Sequence, residues 1–196
     1  MSTTLVINAD GQPVSVVPLS TVHWQDAIRI IWLDRAAVME EYNRWVVRSP
    51  SVQMRMPSVI MLKEHQKHNG KVEFSRYNVI LRDKYRCQYC GAEFDYGDLT
   101  YDHVVPRRNK GRTTWENIVS SCAPCNQKKA HHTNMKPLKA PYRPSYWELA
   151  ANRKQRPIVV PHESWIPWIM WEGEVTVDDS KNYENVEFVD ETVPFL

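Results

Sequence analysis

Four cysteines stand in two pairs of identical spacing: Cys87 and Cys90, then Cys122 and Cys125, with 31 residues between the pairs. Two thiolates separated by two residues can grip one ion. Two such pairs complete a closed tetrahedral site that suits zinc, and iron fits the same four sulfurs. Gly91 allows the tight turn that lets the first pair face one ion. Met1 to Leu5 lacks the basic start and apolar stretch of a secretory signal, so a disulfide framework is not expected. A second set of groups lies between and just beyond the pairs. Asp102 offers a carboxylate oxygen and Asn126 an amide carbonyl, donors that suit magnesium or manganese. His103 titrates near neutral pH, so its free imidazole can take a proton from water. Arg107, Arg108, Lys110 and Arg112 follow at once, and Lys128 and Lys129 lie just after Asn126. Phosphodiester hydrolysis needs an activated water, a cation beside the leaving oxygen and positive charge on the phosphate. This stretch holds all three.

The elements that position these groups can be read locally. Leu99 to Pro106 predicts a strand that Pro106 ends. A basic loop with Gly111 follows, then a second short strand over Trp115 to Val119. Cys122 to Asn126 leads into a helix expected to run through at least His131, with Pro124 in its first turn. In a regular strand Asp102 and His103 point to opposite faces, so a twist or bulge is expected there.

Cys-x-x-Cys, Asp102-His103-Val104-Val105-Pro106, Trp115-Glu116-Asn117 and Cys-x-x-Cys-Asn126-x-x-Lys129 together resemble the HNH endonucleases with a ββα-metal core. Asn8-Ala9-Asp10, Trp24-Gln25-Asp26-Ala27 and Val46-Val47-Arg48-Ser49-Pro50 are similar to the leading region of a free-standing HNH group of bacteria and their phages. The resemblance runs from about residue 5 to 140. It implies that His103 is the general base, that Asp102 and Asn126 hold a catalytic magnesium or manganese, and that the Asn117 amide holds the loop and base in place. It also implies a structural zinc on the cysteines and DNA as the partner, contacted by Arg107, Arg108, Lys110, Arg112, Lys128 and Lys129. The family usually carries a second glycine in the loop where this chain has Asn109-Lys110. A non-catalytic, zinc-stabilised nucleic-acid-binding module is the alternative. The intact Asp102, His103 and Asn126 favour catalysis, because a pure binder has no need of all three.

Charge and composition agree with that frame. Residues 71–160 carry 17 basic and 8 acidic side chains, whereas residues 161–196 carry 1 and 9. A basic middle before an acidic end is a pattern of nucleic-acid proteins. Hydrophobic residues make up 42% of the 196, enough for a core. No apolar run approaches a membrane span, so a soluble, cytoplasmic protein of a bacterium or phage-infected cell is expected. The fold class expected is α+β: an HNH core over 76–135, a small α+β region over 1–75, and a Pro/Trp-rich acidic extension over 136–196. Within the first region, Leu5 to Ile7 and Pro13 to Leu19 read as strands about an Asp10-Gly11 turn. Ser20 or Thr21 could cap a helix whose apolar face is Trp24, Ala27, Ile28, Ile31 and Trp32. Ala37 to Arg48 and Ser58 to Leu62 read as extended. Trp165, Trp168 and Trp171 read as packing anchors rather than base-stacking platforms. For the acidic end, edge strands at Val175 to Val177 and Val186 to Val189 are favoured over a segment that shields the DNA surface.

Overall fold

The computed structural model describes residues 3–48, 53–68, 70–178 and 187–188. The chain groups into two compact units, residues 1–68 with 154–196 and residues 69–153. That grouping differs from three consecutive segments, because the chain beyond residue 153 joins the unit of the N-terminal strands.

In the first unit, strands β1 (Thr3–Ile7), β2 (Thr21–His23), β3 (Ala36–Arg48), β4 (Gln53–Leu62) and β9 (Glu187–Phe188) form one sheet in the order β2-β1-β4-β3-β9. β1 runs parallel to β4, with Leu5 opposite Val59. Side chains alternate across a strand, and β1 is buried on both faces. Leu5 and Ile7 pack with Val59, Ile158, Val160, Trp165 and Ile169. Val6 packs on the other face with Ala27, Ala36 and Ile60. The first cluster shows why the late segment belongs here. Its strand β7 (Ile158–Val160) pairs in parallel with β8 (Val175–Val177). Trp165 is buried, and Trp168 and Trp171 pack against the same cluster, as anchors should.

Several local expectations need correction. Pro13 to Leu19 makes only isolated bridges, Ile7 with Pro13 and Val16 with Leu19; Pro13 and Pro18 lack the N–H a ladder requires. Helix α1 (Trp24–Trp32) has His23 at its N-cap with no side-chain bond, while Thr21 belongs to β2. Trp24, Ala27 and Ile28 are buried, but Trp32 at the helix end is 61% exposed. The expected strand at Val175 to Val177 is β8. Of the one expected at Val186 to Val189, Glu187 and Phe188 form β9, which pairs in parallel with Val47 and Arg48, while Val186 and Val189 lie outside the described residues. Asp179, Glu184, Asp190 and Glu191 of the acidic end lie outside the described residues.

The second unit holds helix α2 (Arg76–Arg82), strands β5 (Leu99–His103) and β6 (Ile118–Cys122), helix α3 (Ala123–Lys129) and all but the last residue of helix α4 (Tyr146–Lys154). Ser75 caps α2, its hydroxyl accepting from Asn78 N at 3.1 Å. β5 and β6 form an antiparallel hairpin. β6 starts three residues later than the expected strand, because Asn117 and Ile118 donate their N–H groups to Thr114 O in a turn. α3 stops at Lys129, where Ala130 turns to φ +47°, so it does not reach His131. Arg82 knits these pieces together. Its buried guanidinium pairs with Asp83 and donates to the carbonyls of Trp115, Tyr142 and Ile118 at 2.7 to 3.0 Å. Asp83 in turn accepts from Ser120 N at 2.7 Å. Among the described residues no helix is long and apolar enough to cross a membrane.

Candidate active site and thiolate centre

The four Sγ atoms of Cys87, Cys90, Cys122 and Cys125 lie within 4.8 Å of one another, and none is in a disulfide. The first pair sits on a tight knuckle. Cys87 N donates to Ala92 O, Gly91 N donates to Cys87 O, and Gly91 takes φ +78°. Gln88 N donates to Ser120 O at 2.8 Å and so fastens the knuckle to β6, whose last residue is Cys122. Burial opposes ionisation of Cys87, but the backbone N–H groups of Cys122, Cys90 and Tyr89 outweigh it and bring the thiol down to about 7. Burial and the neighbouring sulfurs push Cys125 up to about 12, and burial also raises Cys122. Four sulfurs this close can all be thiolates only with a cation among them. The donor set fits zinc, which takes four thiolates at about 2.3 Å in a closed tetrahedron.

Asp102 is buried near the end of β5. Its Oδ2 accepts from Tyr89 Oη at 2.5 Å and from Lys129 Nζ at 2.8 Å. Lys129 Nζ also donates to His103 O at 2.7 Å, and its side chain is 0% exposed. The expectation that Lys129 contacts DNA is therefore corrected: its ammonium is spent inside the domain, while Lys128 beside it is exposed. Asn126 Nδ2 donates to Thr100 Oγ1 at 3.0 Å, and Thr100 Oγ1 donates to Ser121 O at 3.0 Å. Thr100 and Asp102, two apart on a strand, share a face. Asn126 and Lys129, three apart on a helix, share another. These two faces meet. Among the described contacts the polar bonds fall on Asp102 Oδ2 and Asn126 Nδ2, which leaves Oδ1 of each for an ion. Such a pair of oxygens fits magnesium or manganese.

His103 faces the other way. The ladder runs from Leu99 opposite Cys122 to His103 opposite Ile118 without a shift, so of the expected twist or bulge no bulge occurs. His103 Nε2 lies 2.9 Å from Thr113 Oγ1 and 3.4 Å from Arg107 Nε. Burial first, then the Arg107 charge, lower the His103 pKa from its usual value; Lys129 adds to this and Asp102 opposes it. The imidazole is then a free base at neutral pH.

Asn117 binds the loop at three points. Its Oδ1 accepts from Val105 N at 2.8 Å, and its Nδ2 donates to Val105 O at 3.1 Å and Arg112 O at 2.8 Å. A Cβ on Gly111 would stand 1.7 Å from Val105 O, so only glycine lets the loop close here. Lys110 takes φ +63° where the resemblance leads one to expect glycine, at a cost of about 1 kcal/mol. Arg107, Arg108, Lys110 and Arg112 are all exposed. Tyr89, an unspecified position of the first Cys-x-x-Cys, and Thr100 and Thr113 join the site without being among its motif-defining residues. Strand alternation points to Thr100, two residues before Asp102; the other two carry no local signal. His131 and His132, just beyond α3, are exposed, their rings tilted against each other with centroids 4.6 Å apart.

Residues 87–132 match the HNH endonuclease family, and residues 4–69 match the HNH endonuclease-associated N-terminal domain. The chain therefore carries an HNH endonuclease domain. A stretch of 63 residues, 32% of the chain, is 37% identical to the CRISPR-associated endonuclease Cas9 of Corynebacterium diphtheriae. It spans only 6% of that relative's length. The matched HNH domain starts at the first knuckle cysteine and ends just past α3, so it contains the cysteines, the hairpin, the basic loop and the helix described above.

Proposed function

We propose that the HNH domain hydrolyses DNA phosphodiester bonds, with His103 as general base and Asp102 and Asn126 as ligands of a magnesium or manganese ion. The observation that supports this best is the division of one strand end. Two oxygens, one each from Asp102 and Asn126, stand uncommitted where β5 meets α3, and a neutral imidazole stands on the opposite face of the next residue. His103 takes the proton of the attacking water at Nε2, the atom that now faces the Thr113 hydroxyl. The divalent ion, when bound, supplies the positive charge that stabilises the leaving oxygen. Arg107 lies close enough to His103 to hold the phosphate beside it, and Arg108, Lys110, Arg112 and Lys128 give the surrounding surface its affinity for the DNA backbone. Asn117 is a positioning residue, fixing the loop that carries these cations. The cysteines hold a structural zinc that locks the knuckle to β6 and α3.

The test is plasmid DNA incubated with the purified chain and magnesium or manganese. Cleavage is expected, and His103→Ala should lower its rate about hundred- to ten-thousand-fold. Binding of the same DNA in EDTA should be unchanged in the variant. A wild-type chain that binds DNA but leaves it intact in both metals would establish the non-catalytic module instead.

A further inference from the structure

The knuckle residue Tyr89 stands between two cysteines of the thiolate centre, yet its hydroxyl leaves the knuckle and ends on Asp102 Oδ2 at 2.5 Å. That is the length of a charge-assisted O–H···O⁻ bond. Lys129 Nζ shares the same oxygen and lies 6.0 Å from the centre of the Tyr89 ring, so the three side chains form one closed group. A carboxylate with nothing on its oxygens rotates freely about its last bond. Here two donors from different elements hold one oxygen, which fixes the direction of the other.

We propose that Tyr89 is a positioning residue for Asp102 and couples the four-cysteine knuckle to the catalytic ion. This rests on the hydrolase reading above. The knuckle turn aims the Tyr89 ring, because Cys87 and Cys90 bracket it and Gln88 N is bonded to β6. The ring aims the hydroxyl, and the hydroxyl sets the Asp102 carboxylate. A zinc site usually regarded as scaffolding thereby reaches the reaction centre through one side chain. Groups that orient a metal ligand from behind typically contribute ten- to hundred-fold to metal affinity or activity.

Tyr89→Phe removes the hydroxyl and keeps the ring. The full chain is compared with this variant in three measurements: zinc content, calorimetric titration with manganese, and the manganese dependence of plasmid cleavage. Asp102→Ala identifies the manganese binding that belongs to this site. The variant should keep its zinc, bind manganese about tenfold more weakly, and need correspondingly more manganese for half-maximal cleavage. Equal manganese affinity in the two proteins overturns the proposal. So does loss of zinc from the variant, since the hydroxyl would then serve the knuckle. A wild-type chain that binds manganese through Asp102 but cuts no DNA overturns the nuclease reading, and the binding difference still decides the role of Tyr89.

Discussion

Replacing Lys129 by methionine should cost stability rather than DNA affinity. Methionine keeps the length of the stem and removes the charge. The Lys129 side chain is 0% exposed and that of Asp102 is 9% exposed, so the substitution leaves a carboxylate inside the domain with Tyr89 as its remaining donor. Breaking one side of such a buried pair costs about 3–5 kcal/mol, most of it from the abandoned charge. The bond to His103 O is lost as well. At about 2–4 °C per kcal/mol for a chain of this size, the melting midpoint should fall by roughly 10 °C without added magnesium or manganese. Adding Asp102→Asn to the variant should restore part of that loss, because the stranded charge is then gone. The slope of log affinity against log salt should stay as in the wild type for Lys129→Met. It should fall by about one for Lys128→Ala, whose side chain is exposed. Wild-type melting of Lys129→Met, together with a salt slope reduced by one, would refute the reasoning and return Lys129 to the phosphate.

Cys125→Ser should lose the zinc and lower the melting midpoint, while metal analysis of the wild type gives about one tightly held ion per chain; a folded wild type without zinc or iron would contradict the thiolate assignment. Arg107→Ala should move the acid limb of the cleavage rate to higher pH. Burial and the Arg107 charge both disfavour the His103 imidazolium, so removing the arginine lets that pKa rise, and the free base appears only at higher pH. Neutralising two of Arg108, Lys110 and Arg112 should lower the salt slope by about one to two, measured by DNA titration from low to moderate salt.

The parts that can be read from sequence are those where chemistry demands fixed residue types at fixed spacing. Two Cys-x-x-Cys pairs stand out in the bare order of residues, and their sulfurs do come together. Asp102, His103 and Asn126 stand out as the proposed oxygen and imidazole groups for the same reason of type and spacing. Boundaries are harder. Trp115-Glu116-Asn117 has the look of a strand, but Trp115 is buried under the Arg82 guanidinium and the next residues turn, so β6 begins only at Ile118. α3 ends on Ala130 at positive φ, with no glycine to announce the stop. Lys129 reads as a phosphate contact because it follows a basic loop and an exposed lysine. Its true partner lies 27 residues earlier, and nothing local joins the two. The packing of Ile158, Val160, Trp165 and Ile169 on β1 and β4 is likewise a long-range pairing between segments that are each unremarkable in sequence.

The alternation of β5 is at first sight an obstacle to the proposed hydrolysis, in which Asp102 and His103 serve one phosphate. The structure keeps the alternation and gives each face its own task. Thr100 and Asp102 point to α3, where Asn126 and Lys129 meet them with matching spacing, two residues on the strand against three on the helix. His103 points to the loop, where Thr113 and Arg107 meet its ring. What joins the faces is the backbone of the last strand residue. Lys129 bonds both the Asp102 carboxylate and the His103 carbonyl, so one ammonium fixes the offset between the proposed oxygen donors and the proposed base. A bulge would have placed both side chains on one face at the cost of ladder bonds. A regular strand tied at its end to a helix keeps those bonds, and leaves the end of β5 as the place where, on the proposed mechanism, a phosphate is reached from both faces.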